Sequence, residues 1–159
     1  MNVSDTGIKF IKLKEGLRLE TYKCSSNVST IGYGHTGSDV HAGMKITKEE
    51  AERLFKIDLS IHENNVSKLV KVPLTQGQFD ALVSLEFNIG YGSFRSSSIL
   101  RLVNEKKYNE ACRRFLFENP NAKTPEEKYK GCWVFNSQKK VVAGLVTRRK
   151  EEQQMFASS

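Results

Sequence analysis

Apolar positions recur at helical spacing over most of the chain and at strand spacing over one short stretch near its start, which predicts a helical protein with one small sheet. Ser4 or Asp5 caps a first helix that carries Ile8, Phe10 and Ile11 toward a core and reaches Glu15, with Gly16 as the exit residue. From Leu17 to Gly34 the period changes. Thr21-Tyr22-Lys23-Cys24 and Ser29-Thr30-Ile31-Gly32-Tyr33 are rich in β-formers and flank Ser25-Ser26-Asn27, the pattern of a hairpin. Gly32, Gly34, Gly37 and Gly43 then mark an irregular stretch.

Thr47-Lys48-Glu49-Glu50 fits a capping box, and Ala51, Leu54, Phe55, Leu59, Ile61, Val66 and Leu69 continue at helical spacing to Pro73, as one long helix or two. A second box, Thr75 to Gln78, opens a strongly apolar helix with Phe79, Leu82, Val83, Leu85 and Phe87 that ends at Gly90-Tyr91-Gly92 and reads as the buried central helix. Further helices are expected over about 96–105, 108–117 and 144–156, with a polar connection holding Pro120, Pro125 and Trp133. The expected class is α+β, in a single domain over 1–159. A small β-hairpin lobe occupies about 15–47, and a larger helical lobe of about 70–159 packs with the N-terminal helix.

Composition excludes several classes. The 159 residues are 38% hydrophobic and 27% charged, values of an ordinary globular chain rather than a disordered one. No window reaches the run of roughly 18 apolar residues that a membrane span needs. The net charge of +7 favours polyanionic partners. The basic residues are scattered, however, without the aromatic interleaving of a base-stacking platform, so nucleic acid is not the expected partner. Cys24, Cys112 and Cys132 are an odd number at wide spacings, unlike a disulfide scaffold or a zinc ribbon, and His35, His41 and His62 show no ligand spacing. Neither a metal nor a cofactor is expected. Cys112, beside Ala111 and Phe115, reads as an inert core thiol.

Glu15 stands at a helix C-terminus, whose negative pole favours the protonated carboxyl that a general acid requires. Cys24 at the foot of the first strand and Thr30 on the returning strand lie near each other across a short turn. If the first helix packs behind the hairpin, Glu15 reaches the same place; the spacing permits this cluster without demanding it.

The run Glu15-Gly-Leu-Arg-Leu-Glu-Thr-Tyr-Lys-Cys24-Ser-Ser-Asn-Val-Ser-Thr30-Ile-Gly-Tyr-Gly-His35 resembles the active-site signature of the phage-type lysozymes, glycoside hydrolase family 24. That signature is Glu, eight residues, Asp or Cys, five residues, Thr, then Ile-Gly-x-Gly-His. The resemblance extends to Gln78–Ser84 with Phe87-Asn88-Ile89-Gly90, and to Gly144–Arg149. The stretch between His35 and Thr47 is shorter than in the T-even phage enzyme, which argues against a third strand in the small lobe.

The resemblance implies hydrolysis of the β-1,4 bond between N-acetylmuramic acid and N-acetylglucosamine in peptidoglycan, in a cleft between two lobes. Glu15 would protonate the leaving oxygen, and the second residue and Thr30 would serve an attacking water in an inverting reaction. Cys24 departs from the carboxylate of many members. An ordinary thiol is only roughly 3% thiolate at pH 7, so base, covalent nucleophile and polar neighbour all stay open as its role. Tyr33 and His35 are candidate substrate contacts that serve equally as turn and packing residues. The resemblance also brings Phe87, Ser97 and Arg114 near the border of the sugar cleft. Arg148 or Arg149 is a candidate partner for Glu15, with at least one of the two expected on the surface.

A lytic transglycosylase using Glu15 alone and a murein-binding module are the competing readings. With Glu15 so close to Met1, no N-terminal export segment is expected. The protein would then be a monomer, without stable membrane insertion, held in the host cytoplasm until a holin admits it to the wall.

Overall fold

The computed structural model describes residues 1–24 and 27–158. It divides into two compact units, Ile8–Ile61 and Met1–Gly7 with His62–Ser159. The class is α+β, as the periodicity predicts.

Helix α1 (Asp5–Glu15), which enters the unit of Ile8–Ile61 at Ile8, leads into strands β1 (Arg18–Lys23), β2 (Ser29–Gly32) and β3 (His35–Thr36). Among the described residues these form one antiparallel sheet in the order β1-β2-β3. Tyr22 pairs with Thr30 across β1 and β2, and Thr30 with Thr36 across β2 and β3. The third strand corrects the expectation of a bare hairpin. Two residues suffice for it, because the turn Gly32-Tyr33-Gly34 reverses the chain at once and sets His35 opposite Ile31. The free edge of β1 is covered by the segment around Lys45, where Thr21 N–H donates to Met44 O (3.0 Å) and Ile46 N–H to Leu19 O (2.9 Å). Ile31, Val40 and Leu54 form a small core beneath the sheet, with Met44 and Ile46 packed against it.

Helix α2 (Lys48–Leu69) is one continuous helix of 22 residues, and the boundary between the units falls within it. In the other unit α3 (Gln76–Ile89) is buried without interruption from Phe79 to Glu86, the central helix that its apolar sequence predicts. Its capping box is formed in full, with Thr75 Oγ1 accepting from Gln78 N–H (3.2 Å) and Gln78 Oε1 from Thr75 N–H (2.9 Å). The chain does not become coil after Gly90. Gly90 O accepts from Phe94 N–H (3.0 Å) and starts α4 (Tyr91–Arg95), anchored by the buried Phe94.

Helices α5 (Ser98–Asn104) and α6 (Tyr108–Phe115) follow. A short α7 (Pro125–Lys128) lies in the expected polar connection, with Thr124 accepting from Glu127 N–H and Pro125 in its first turn. The last helix, α8 (Ala143–Ala157), packs on α3.

The contact between α3 and α8 holds a buried ionic joint. Arg149 and Glu152 are fully buried and Arg148 nearly so. Arg148 Nε lies 3.2 Å from Glu152 Oε1, and Arg149 Nε 2.7 Å from Glu152 Oε2. Arg148 also donates to Ser84 O (3.1 Å), Arg149 to Asn88 Oδ1 (2.9 Å), and Ser84 Oγ to Glu152 Oε1 (2.6 Å). The expectation that at least one of the two arginines lies on the surface is therefore wrong. Carboxylate, hydroxyl and amide partners on α3 and α8 make their burial tolerable.

Candidate active site

Glu15 is the last residue of α1, and Gly16 ends the helix there by donating its N–H to Lys12 O (2.9 Å). The carboxyl lies directly against the β2–β3 turn. A β-carbon placed on Gly34 would stand 2.6 Å from Glu15 Oε1 and 3.6 Å from Glu15 Cβ, so any other residue here would displace the carboxyl from this place.

Cys24 follows β1, and Thr30 lies in β2. Between them is the turn whose Ser25 and Ser26 lie outside the described residues. Both ends of that turn are tied to one acceptor. Cys24 N–H donates to Val28 O at 3.0 Å, and Thr30 Oγ1 donates to the same oxygen at 2.9 Å. Thr30 is only 3% exposed and has spent its one hydroxyl proton on that carbonyl, so it is left as an acceptor.

Tyr22 links these groups and was not singled out by sequence reasoning. It sits opposite Thr30 in the ladder and carries the guanidinium of Arg18 over its ring, 4.7 Å from the centroid. Burial, and then the negative charge of Glu15, raise the Tyr22 pKa above that of an ordinary phenol. Arg18 pulls the other way, and Cys24 adds a smaller upward push. Strand alternation is the signal that could have found it, since Tyr22 lies two residues before Cys24.

Tyr33 and His35 have structural partners. Tyr33 is buried, donates its hydroxyl to Glu52 Oε1 (2.9 Å) and meets Phe55 edge-on at 5.5 Å. Glu52 is held in turn by Lys12 at 2.5 Å. His35 is clamped through both ring nitrogens, Nδ1 to Asp58 Oδ2 at 2.8 Å and Nε2 to Asp39 Oδ2 at 3.0 Å. Burial would lower the His35 pKa, but the hydrogen bonds that Asp39 and Asp58 accept from the ring outweigh it and the net direction is upward.

Phe87, Ser97 and Arg114 belong to the other unit. Phe87 is half-buried, its ring 4.4 Å from that of His62. His62 is bonded to the fully buried Glu86, whose other oxygen accepts from Asn65 (2.8 Å). Ser97 is buried as the N-cap of α5, accepting from Leu100 N–H at 3.1 Å. Arg114 is exposed on α6. Among the described residues no group of three His, Cys, Asp or Glu is placed to hold a metal ion.

A carboxyl, a thiol and a hydroxyl thus share one small sheet unit, in the sequence order of the phage-type signature. The profile of the phage lysozyme family matches residues 12–152. This chain belongs to the phage lysozyme family. Among its relatives, the endolysin of Bacillus phage B103 is 41% identical over 158 residues, which is 98% of this chain and 54% of that protein. The chain thus spans about half the length of that relative. The endolysin of Salmonella phage P22 is 45% identical over 130 residues, 79% of this chain and 89% of its own. In three dimensions the muramidase domain of SpmX from Asticaccaulis excentricus superposes with a TM-score of 0.78 at 36% identity, covering 99% of both chains. Membership in the phage lysozyme family accounts for the mostly helical fold with its small antiparallel sheet.

Proposed function

We propose that this chain is the catalytic domain of a phage endolysin, a muramidase that hydrolyses the β-1,4 bond between N-acetylmuramic acid and N-acetylglucosamine in peptidoglycan. The observation that carries the reading is the Glu15 carboxyl seated against Gly34, in the unit that also holds Cys24 and Thr30 on a shared Val28 carbonyl. The names of the relatives, endolysins and a muramidase domain, support it.

In this reading Glu15 gives its proton to the glycosidic oxygen as the bond from that oxygen to the anomeric carbon breaks. A water attacks the anomeric carbon from the opposite face. It releases its proton to the Cys24 thiolate while Thr30 Oγ1 accepts its other hydrogen. Thr30 suits that task because its own proton is committed to Val28 O, which leaves its oxygen as an acceptor. The glutamate then regains a proton from solvent and the thiol loses one, restoring both groups.

Digestion of purified murein tests the reading. Products with reducing muramic acid ends are expected, and their loss in Glu15→Gln with the fold retained. Products with 1,6-anhydro ends would replace hydrolysis by transglycosylation, a step that needs Glu15 and no base. Binding of murein without cleavage would remove the enzyme reading altogether.

A further inference from the structure

The turn that receives the Glu15 carboxyl has little stiffness of its own. Gly32 and Gly34 both have positive φ, +65° and +75°, and Tyr33 is the one residue between them with a side chain that can fix the turn in place. Tyr33 is 9% exposed, and its hydroxyl donates to Glu52 Oε1 at 2.9 Å. Glu52 Oε2 takes the ammonium of Lys12 at 2.5 Å, and that ammonium stands 5.2 Å from the ring centroids of both Tyr33 and Phe55.

Lys12 lies on α1 one turn before Glu15, and its carbonyl oxygen accepts the Gly16 N–H that ends the helix (2.9 Å). With its backbone Lys12 closes the helical turn that carries the acid. With its side chain it ties that turn, through Glu52, to the residue next to Gly34. The charges suit a fixed clamp. The bond from Lys12 lowers the Glu52 pKa against the effect of burial, while burial and then the bond to Glu52 raise the Tyr33 pKa. Near neutral pH the carboxylate is therefore charged and the phenol keeps the proton that it donates, so both bonds are strengthened by charge.

We propose that Lys12, Glu52 and Tyr33 are positioning residues for Glu15, a clamp that fixes the Gly34 turn and with it the place of the acid. The proposal rests on the muramidase reading above. It makes Tyr33 act on the reaction through the turn and not by touching the sugar.

The test uses the full chain and soluble glycan strands. Tyr33→Phe removes only the hydroxyl and keeps the ring in its packing. It is expected to lower kcat about fivefold and to leave KM within about twofold. In Gly34→Ala, where the carboxyl is already displaced, the same change should cost less than about twofold. Lys12→Met should lose about as much as Tyr33→Phe, and Lys12→Arg, which keeps a cation for Glu52, should recover most of it. The carboxyl carbon NMR resonance of Glu15, assigned by its loss in Glu15→Gln, is read in the same proteins without substrate and should move in Tyr33→Phe. An unmoved resonance, an unchanged kcat, or the full loss repeated in the Gly34→Ala background overturns the proposal, and a rise in KM alone would replace it with a sugar contact. If the parent leaves murein uncleaved, the muramidase reading falls, while the resonance still decides the clamp.

Discussion

The Glu15 carboxyl lies so close to the α-carbon of Gly34 that a side chain there would displace it: a β-carbon on Gly34 would lie 2.6 Å from Glu15 Oε1. Gly34 also has φ +75°, a backbone region where a side chain is strained. The signature glycine is thus a mould for the acid. Gly34→Ala is expected to cost about 1–2 kcal/mol of stability from the backbone alone. It is also expected to cut murein hydrolysis by about tenfold or more, because the carboxyl must move away from its place. Thermal unfolding together with kcat separates the two effects, and full activity in a destabilised Gly34→Ala would show that the contact does not set the position of the acid.

Glu152 is the shared anion of two buried arginines. Removing it leaves both guanidiniums in the contact between α3 and α8 without their carboxylate. Glu152→Ala is expected to destabilise by about 3–5 kcal/mol, the range for one lost member of a buried ionic group. Urea unfolding checks this, and a change under about 1 kcal/mol would mean that water reaches the site in the variant.

His35 makes stability depend on pH. Its pKa is raised in the folded protein, against the lowering by burial, through Asp39 and Asp58. The protonated ring therefore favours the folded state. That contribution is fully present below the unfolded value of about 6.5 and is lost as pH rises through the higher folded value. Unfolding free energies measured from pH 5 to 9 should fall across this window, and His35→Asn should flatten that part of the profile. An unchanged slope in the variant would assign it to another group.

Much of this was legible in the chain itself, and what was not depends on distant partners. The Thr75 to Gln78 capping box and the apolar run of α3 are local patterns, and each forms as read. Burial of Arg148 and Arg149 was illegible because, within Thr147-Arg148-Arg149-Lys150-Glu151-Glu152, they look like a solvated face. Only Ser84 and Asn88, more than 60 residues earlier, make them a core. Tyr22 escaped notice because its electrostatic coupling to Glu15 joins residues seven positions apart, which strand alternation alone does not connect. Helix α4 and strand β3 are too short for periodicity to register.

Cys24 is where the proposed chemistry is most exposed to test. If its sulfur takes the proton of the attacking water, the reactive form is the thiolate, and an ordinary thiol supplies only a few per cent of it at pH 7. Hydrolysis should then rise with pH between about 7 and 8.5, the region in which an ordinary thiol ionises. Cys24→Asp should retain much of the activity and move that limb below pH 5, because an aspartate is already ionised there. Cys24→Ser should lose most activity at every pH, since a hydroxyl keeps the size but not the basicity. A covalent role predicts a different pattern: mass spectrometry would trap a glycosyl adduct on Cys24, and the anomeric configuration of the first product would be retained. Full activity in Cys24→Ser would remove the thiol from the mechanism and leave Glu15, in its Gly34 mould, as the sole catalytic group.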